Sequence, residues 1–554
     1  MRSLGPYGRL LRHLRAAPLT FVLLGTSALA LGSAGCRINN DDLHRWENTQ
    51  RGPDKLRAVL LHDKYEMPLR IECAVSLVRM KPRSGRFVGI DILVDTLAEV
   101  PADQREKILN GVVPVLVEQL KKEPPAAQAG QPAPPDPSYA YKDAGYAILI
   151  YEKQVLLADQ TLGDNLRAAI IDWAMRDFDR RLENRAQKYG MEQVLRYLGP
   201  DGVVGLPEKI NKDSRNLEKI ANLIDEIAKP ATKEAASTKY VEVAKWIISP
   251  EWIQAATEKV KSANLISKLT PDEKQFQQQV EAYQDEELQR VLGSLRKVGG
   301  RAAVDFGLTL GADTKAKEDR RAWALASLEL RLDPQNADDV KRVFAIATSD
   351  SPPKVLDMAF GRISEMPRKI AIEKLYEAMK SDKWKVRRQA GVIALRMSDM
   401  RDVDEFMSKL PEKEAKGFAR EEARAYGAYI GGLKNGDPRT ALEKYLTPET
   451  PIAQRAVAFS FYRTDGKESD LAKMAPFEGD KVAMPVCEGD DDCKWTCDVP
   501  KDEKKPEETE SKEVKTFGEF VKYCVEPTIK WQAKALAEKA AAEKALAEKK
   551  GDKK

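Results

Sequence analysis

The chain is poor in the residues that most enzymes and metal sites use. Its 554 residues include three His and six Cys, and the sequence contains no HExxH, GxSxG or Walker P-loop motif. Because imidazole is the commonest general base and a frequent metal ligand, this scarcity argues against a catalytic triad or a histidine metal site. The 87 acidic residues are too numerous for any carboxylate pair to indicate a site. We expect no catalytic residue, no metal and no cofactor.

Long apolar runs are also missing beyond residue 34, which excludes a protein with several membrane spans. Hydrophobic residues make up 42% of the chain and charged residues 32%. This balance excludes a wholly disordered chain and favours amphipathic helices with a large solvated surface. A chain of this length does not form one compact core, so we expect several domains or an array of repeats.

The excess of positive charge belongs to the N-terminal segment. Residues 1–35 hold Arg2, Arg9, Arg12 and Arg15 and contain no Lys, Asp or Glu. These four arginines account for the whole formal charge of +4, so the remaining chain is electrically balanced. A balanced chain lacks the global basic surface that nucleic acid attracts, and we expect no nucleic-acid partner.

The N-terminal segment has the organisation of an export signal. After the basic stretch, residues 17–34 are apolar or small, and the segment ends Ser33-Ala34-Gly35-Cys36. These four residues resemble the bacterial lipobox, apart from Ser33, where the pattern usually has Leu. The resemblance implies cleavage before Cys36, acylation of its thiol and new amine, and stable membrane anchoring through several acyl chains. Arg37 follows Cys36 in place of the Asp that often marks retention in the inner membrane, so the resemblance also implies attachment to the outer membrane. Ordinary secretion and an uncleaved anchor helix remain the alternatives.

Apolar residues recur with the period of an α-helix along most of the chain. Around residues 69–78 they follow an i, i+3, i+4, i+7 pattern, and Pro-containing turns separate such segments. No stretch shows the sustained alternation of a half-buried strand, so we expect an all-α protein. The glycine-rich residues 199–205 are expected to form a turn, because they lack the Gly-Lys-Ser/Thr of a phosphate-binding loop.

A helical unit repeats in the second half of the chain. Five segments, marked by residues 320, 356, 387, 424 and 455, follow one another at intervals of about 31 to 37 residues. Four of them carry an Arg near the start and small residues one turn later. Residues 382–390 in particular resemble HEAT repeats, which implies an α-solenoid of stacked helix pairs. We expect the early Arg to reach carboxylates or carbonyls of the adjacent repeat. A non-repeating helical bundle is the alternative.

Four cysteines cluster near the C-terminus. Cys487, Cys493, Cys497 and Cys524 bracket a polar, acidic stretch, and an exported chain meets oxidising conditions, so we expect two disulfides. The sequence leaves three pairings open, and a four-thiolate zinc site is the alternative. Cys73 lies on an apolar helix face and is expected to be a buried core residue. Residues 517–524 are expected to form a helix that caps the last repeat.

These signals divide the chain as follows: a signal peptide at 1–35, helical repeats at 36–122, a Pro-rich linker at 123–138, repeats and connector helices at 139–300, HEAT-like repeats at 301–480, a Cys-rich capping element at 481–526 and a charged Ala/Glu/Lys helical tail at 527–554.

The predicted function is a lipid-anchored, non-enzymatic scaffold that binds unidentified envelope proteins, as the resemblance to HEAT-repeat lipoproteins of Gram-negative bacteria implies. The alternative is an envelope enzyme or cell-wall polymer-binding protein with a carboxylate-lined groove. Helical Trp residues are expected to pack between helices rather than to form a sugar-binding platform: Trp173, Trp246, Trp252, Trp323 and Trp384.

Globomycin tests the predicted lipid attachment, because it blocks the peptidase that cleaves acylated precursors. Treated cells should accumulate a precursor that retains residues 1–35 and migrates more slowly on a gel. A precursor band that does not shift would exclude lipid attachment at Cys36.

Overall fold

The computed structural model describes residues 38–125, 134–262, 273–349, 351–412, 416–487, 491–502 and 505–551. The export signal and Cys36 lie outside the described residues, as does the centre of the Pro-rich segment. Among the helices of the described ranges, none combines the length and the apolar character needed to cross a membrane. The chain divides into two compact units: one holds residues up to Gln119 together with Pro135–Gly163, and the other holds Leu120–Pro134 and Asp164–Lys554.

The first unit is a group of amphipathic helices around a shared core. Its helices are α1 (Asn40–Trp46), α2 (Gly52–Leu61), α3 (Met67–Arg79), α4 (Val88–Glu99), α5 (Ala102–Lys121, whose last residues belong to the other unit) and α6 (Ser138–Ile150).

The predicted apolar face of α3 lies in the core of this unit. Cys73 on α3 is fully buried and is not part of a disulfide. Burial raises the pKa of its thiol to about 12, because the thiolate would lose its hydration. The neighbouring Arg70 is also buried, and its Nε donates to the carbonyl of Leu60, 3.0 Å away in the last turn of α2. Carbonyls of a last turn lack intrahelical donors, so Arg70 satisfies a group that would otherwise be costly to bury.

The second unit opens with helices that precede the regular repeats. They are α7 (Gln160–Met175, whose first residues belong to the other unit), α8 (Phe178–Glu183), α9 (Met191–Leu198), α10 (Leu217–Ile227), α11 (Pro230–Ile247), α12 (Pro250–Ser262) and α13 (Glu273–Val298). The glycine-rich segment forms a short 3-10 helix, Gly199–Val203, between α9 and α10. It is the turn that the sequence predicts.

Five helix pairs then follow in regular order. They are α14 (Arg301–Ala312) with α15 (Glu318–Ala326), α16 (Ala337–Thr348) with α17 (Pro353–Ile363), α18 (Arg368–Ala378) with α19 (Trp384–Arg396), α20 (Val403–Ser408) with α21 (Arg420–Gly431), and α22 (Pro438–Glu443) with α23 (Ile452–Asp465).

The second helix of each pair packs against the second helix of the next, so that α13, α15, α17, α19, α21 and α23 form a continuous row. All five sequence marks fall in the second helices, which confirms the prediction of an α-solenoid of HEAT-like pairs. Small residues permit the close approach within the row. A Cβ on Gly427 of α21 would lie 2.6 Å from the backbone nitrogen of Phe461 on α23.

Charged side chains connect neighbouring repeats at the surface. Arg320 pairs with Asp285, and Lys354 pairs with Asp319, in each case 35 residues away. Other pairs link positions 30 to 40 residues apart, a separation of one repeat. The pair of Arg320 with Asp285 is mostly buried. Exposed pairs such as Lys354 with Asp319 contribute at most about 1 kcal/mol each, so they favour the register of stacking more than its stability. They explain how the chain accommodates its many charges.

Buried arginines occupy equivalent places in three of the second helices. Arg321 donates through Nε to the carbonyl of Gly311, 3.0 Å away in the last turn of α14, as Arg70 does in the first unit. Arg387 and Arg455 are also buried, and they pair with Glu422 and Asp480 at 2.7 and 2.6 Å. Arg387 thus reaches a carboxylate of the adjacent repeat, as predicted, whereas the carbonyl that Arg321 reaches belongs to its own helix pair.

Two of the sequence marks need correction. The buried arginine of α15 is Arg321, whereas Arg320 reaches the preceding helix of the row, α13. Arg424 of α21 is exposed and pairs with Glu421 on its own helix, 3.3 Å away. In four of the five segments the motif places an arginine near the helix start, but the phase of the helix decides which arginine points inward.

The C-terminal part contains α24 (Leu471–Met474), a hairpin of β1 (Thr496–Asp502) and β2 (Lys505–Glu513), α25 (Phe517–Phe520), a π turn at Val521–Val525 and α26 (Glu526–Gly551).

The hairpin corrects the expectation of an all-α protein in this polar, acidic stretch. Its strands are antiparallel, with Thr496 opposite Glu513 and Val499 opposite Glu510. The strands show little of the apolar alternation that reveals a half-buried sheet, because only Cys497 and Val499 of β1 supply it.

The helix after the hairpin caps the last repeat, as predicted. Phe517 is fully buried, and its ring lies edge-on to that of Phe459 on α23, with centroids 4.8 Å apart. The guanidinium group of Arg455 stacks over the same ring at 4.2 Å. Gln532 of α26 donates to the carbonyl of Thr464 at the end of α23. The apolar end of the row is thereby covered, as a terminal repeat requires.

The close contact at Gly427 gives a test of the helix row. Gly427→Ala should lower the free energy of unfolding by about 1–3 kcal/mol, because the methyl group meets backbone atoms of α23 that cannot rotate away. The matched control is Gly361→Ala on α17, where a Cβ has no neighbour within 4 Å. It should leave stability unchanged or raise it by up to about 1 kcal/mol. Calorimetric melting of both variants measures the difference, and equal behaviour would contradict the close packing of α21 on α23.

Candidate functional site

Two adjoining cavities lie where the second helices of three repeats begin. The first cavity, of about 370 Å³, is lined from α17, α19 and α21 and by Asp492 of the Cys-rich element. The second, of about 460 Å³, lies between α19, the loop before α21 and residues Val486 and Cys487. Trp384 lines both cavities. We call the two cavities together the groove.

The repeat itself positions the side chains of the first cavity. Its residues belong to the first two turns of their helices, which begin at Pro353, Trp384 and Arg420. Because successive second helices pack side by side, their first turns lie next to one another. The N-terminal ends of helices carry partial positive charge from free backbone N–H groups. The groove therefore gathers this charge from three helices at one edge of the row.

Basic side chains add to that positive edge. The first cavity is lined by four cationic residues, Lys385, Arg388, Arg420 and Arg424, and by three carboxylates, Asp357, Glu421 and Asp492.

Each of these carboxylates has a neighbour within the chain. Asp357 accepts a hydrogen bond from the amide of Gln389 at 2.5 Å, and Glu421 accepts one from Arg424. Asp492 lies 4.0 Å from Arg420. Acidic groups of the cavity are thus engaged, which leaves the cations to dominate its recognition of other molecules.

Arg388 differs from the other cations of the cavity. Within the described parts of the chain it makes no hydrogen bond or ion pair, and its Nε is buried without a partner. A buried donor without an acceptor costs roughly 1–3 kcal/mol, so Arg388 carries an unsatisfied group at the wall of the cavity. Beside it, the Lys385 ammonium stands 5.4 Å from the centre of the Trp384 ring. Guanidinium, ammonium and indole groups are suited to binding rather than to acid–base catalysis.

A buried ion pair fixes the wall of the second cavity. Arg387 donates to Glu422 through Nε at 2.9 Å and to the carbonyl of Ser381 at 2.8 Å. Glu422 in turn accepts a hydrogen bond from the backbone N–H of Ala419. Burial raises the pKa of Glu422, although Arg387 acts in the opposite direction. The pair joins α19, α21 and the intervening loop, and so it keeps the groove in shape.

The Cys-rich element is held against the same loop by backbone contacts. Gly417 N–H donates to the carbonyl of Val486 at 2.8 Å, and Arg420 N–H donates to that of Cys493 at 3.2 Å. The indole N–H of Trp495 donates to the carbonyl of Phe418. This element forms one side of the groove.

The four C-terminal cysteines form two disulfides, as predicted, and the structure supplies their pairing. Cys487 joins Cys493, with Cα atoms 5.7 Å apart, and Cys497 joins Cys524, with Cα atoms 5.5 Å apart. The paired sulfurs leave no thiolate for the zinc alternative. Among the residues that the structure describes, no cluster of three or more His, Cys, Asp or Glu side chains could hold a metal ion.

The sequence pattern predicts the Cys-rich element but not the groove. Trp173 and Trp252 are buried as expected, whereas Trp384, expected to pack between helices, is only partly buried and lines both cavities. The sequence feature that could have predicted the groove is a Trp at the first position of a helix, followed by Lys385 and Arg388. It could not be separated from the HEAT-like pattern of the same segment without knowing which residues face outward.

No protein-family model matches the chain, and the search of curated proteins found no match. Among solved structures, the chain is similar to the karyopherin Kap121p bound to Pho4p, with 12% identity and a TM-score of 0.36, and to Kap121p bound to Ste12p, with 12% identity and a TM-score of 0.35. These matches cover 79% of this chain and 49% and 47% of the karyopherin chains, so this chain spans about half their length. A tubulin-recruiting array of TOG domains matches with 14% identity and a TM-score of 0.22, over 79% of this chain and 94% of that one.

Removal of each disulfide tests how the Cys-rich element is held. Replacing Cys497 and Cys524 by Ala should destabilise the element by about 3–4 kcal/mol, because this bond closes a long loop. Replacing Cys487 and Cys493 should cost about 2 kcal/mol, because the closed loop is short. Hydrogen-exchange protection of residues 496–513 in the full chain reports the opening free energy. Equal losses in the two variants would contradict this account.

Proposed function

We propose that this chain is an exported, lipid-anchored helical-repeat scaffold that binds a partner protein of the cell envelope through the groove. The observation that carries the binding role is the groove itself. Successive repeats present their first turns to one cavity, and a disulfide-bonded element forms its side. Helical repeats with such faces are suited to binding extended segments of other proteins.

The proposed address is supported by two independent features. The N-terminal residues have the pattern of a lipoprotein signal that ends at Cys36. Two disulfides near the C-terminus are typical of proteins that fold in an oxidising compartment. Together they favour attachment through an N-terminal lipid at the envelope, and the absence of Asp after Cys36 favours the outer membrane.

We propose a binding function rather than a catalytic one. The alternative of an enzyme or polymer-binding protein with a carboxylate-lined groove is less well supported, because cations outnumber carboxylates in the first cavity and each carboxylate there has a neighbouring donor or cation. A nucleophile paired with a general base is the arrangement that most hydrolases need, and the cavity lining includes no Ser, Cys or His.

Photocrosslinking in intact cells tests the proposed role. A benzoyl-phenylalanine at position 389, in the first cavity, should give a discrete adduct with a partner protein. The same residue at position 374, on the exposed side of α18 and away from the row of second helices, is the matched control and should give none. Adducts of the same protein at both positions, or at neither, would contradict binding at the groove.

A further inference from the structure

The first cavity contains two cationic groups that lack a full ion-pair partner within the described residues. Arg388 makes no ion pair within the described residues, and its buried Nε has no acceptor. Arg424 is 65% exposed and shares a single carboxylate, Glu421, with Arg420. Both guanidinium groups lie at the helix N-terminal edge, where the backbone adds further positive potential.

Asp492 already places a carboxylate beside one arginine of the cavity. This residue belongs to the Cys-rich element rather than to the repeats, and its carboxylate lies 4.0 Å from Arg420 at the side of the cavity. The disulfide between Cys487 and Cys493 closes the loop that carries it. A carboxylate from a separate element therefore already lines this cavity together with the half-buried Arg388.

From this charge pattern we propose that the groove binds an acidic peptide segment of the partner protein, with a carboxylate placed on Arg388 and Arg424 and an apolar side chain placed against Trp384. This inference rests on the proposed function and specifies the chemistry of the partner.

The shape and composition of the groove favour a peptide over a polyanionic polymer. The first cavity holds four cations and three carboxylates, so its excess of positive charge is small and does not match a chain that carries a negative charge on every unit. The second cavity, beyond Trp384, is lined by charged residues such as Lys380 and Lys416 and by the exposed side chain of Val486, which offers apolar contact. A segment that alternates acidic and apolar residues satisfies both halves of the groove. Guanidinium groups bind carboxylates through paired, directional hydrogen bonds, which gives such a segment its orientation.

Binding of a designed probe tests this inference. The full chain, purified in detergent under oxidising conditions, is titrated into a fluorescein-labelled peptide of alternating Glu and Leu, and fluorescence anisotropy is recorded. We expect saturable binding that weakens as salt is added, because screening reduces partly exposed charge interactions. The same peptide with Lys in place of Glu should not bind.

Matched variants locate the binding site. Arg388→Gln combined with Arg424→Gln should weaken binding of the Glu–Leu peptide about tenfold or more, because each loses a charge-assisted hydrogen bond. Trp384→Leu should weaken it less, and the residual binding should keep its salt dependence. Arg401→Gln is the control: this Arg is 80% exposed, pairs with Asp399 and lies outside both cavities. It should leave the affinity unchanged.

Three outcomes would overturn the inference: no binding of the Glu–Leu peptide, equal effects of the groove variants and Arg401→Gln, or competition by inorganic polyphosphate with an affinity equal to or greater than that of the peptide. The last result would assign the cavity to a polyanion. The crosslinking experiment separates this failure from that of the proposed function. A partner adduct at position 389 that persists in the double variant would leave the scaffold role standing and remove its acidic specificity.

Discussion

The structure depends on one constraint: a single helix pair of this chain cannot bury its own apolar side. Each second helix is amphipathic and must pack against the second helix of the neighbouring pair, so folding extends along the chain by contact between neighbours. Close approach of backbones at Gly427, where Val457 and Phe461 of α23 come within 3 Å of the position of a Cβ, shows how tight this packing is. The regular placement of helix ends, from which the groove arises, follows from the same constraint.

A buried arginine loses the hydration of its guanidinium group, so this group needs hydrogen-bond acceptors within the core. Arg70 and Arg321 meet carbonyls at the ends of preceding helices, where the backbone has acceptors to spare. Arg387 and Arg455 meet carboxylates instead. Removing one member of a buried pair leaves an isolated charge and costs about 3–5 kcal/mol, so these contacts tie each repeat to its position more than they add to net stability. The groove is bordered by one of these pairs, which gives a binding surface a rigid support.

The sequence could predict the helical class, the repeated pairs and the capping role of residues near Phe517, because these follow from periodicity that is visible in one dimension. It could not decide between Arg320 and Arg321, since a rotation of one residue on a helix exchanges inside for outside. The hairpin of β1 and β2 was missed because Cys497 and Val499 are its only apolar residues that alternate with polar ones, too few for a visible strand pattern. The pairing of Cys487 with Cys493 and the groove beside Trp384 depend on contacts between distant segments, on which a single sequence carries no information.

The disulfide between Cys497 and Cys524 has a consequence for how this molecule comes apart. Linear repeat arrays open from their ends, where a terminal module has one neighbour instead of two. Here the bond ties the hairpin to the helical segment that covers the last module, so the two cannot peel away one after the other. Under oxidising conditions the C-terminal end of the array is therefore held closed. Local unfolding of the array is then expected to begin in modules nearer the N-terminus.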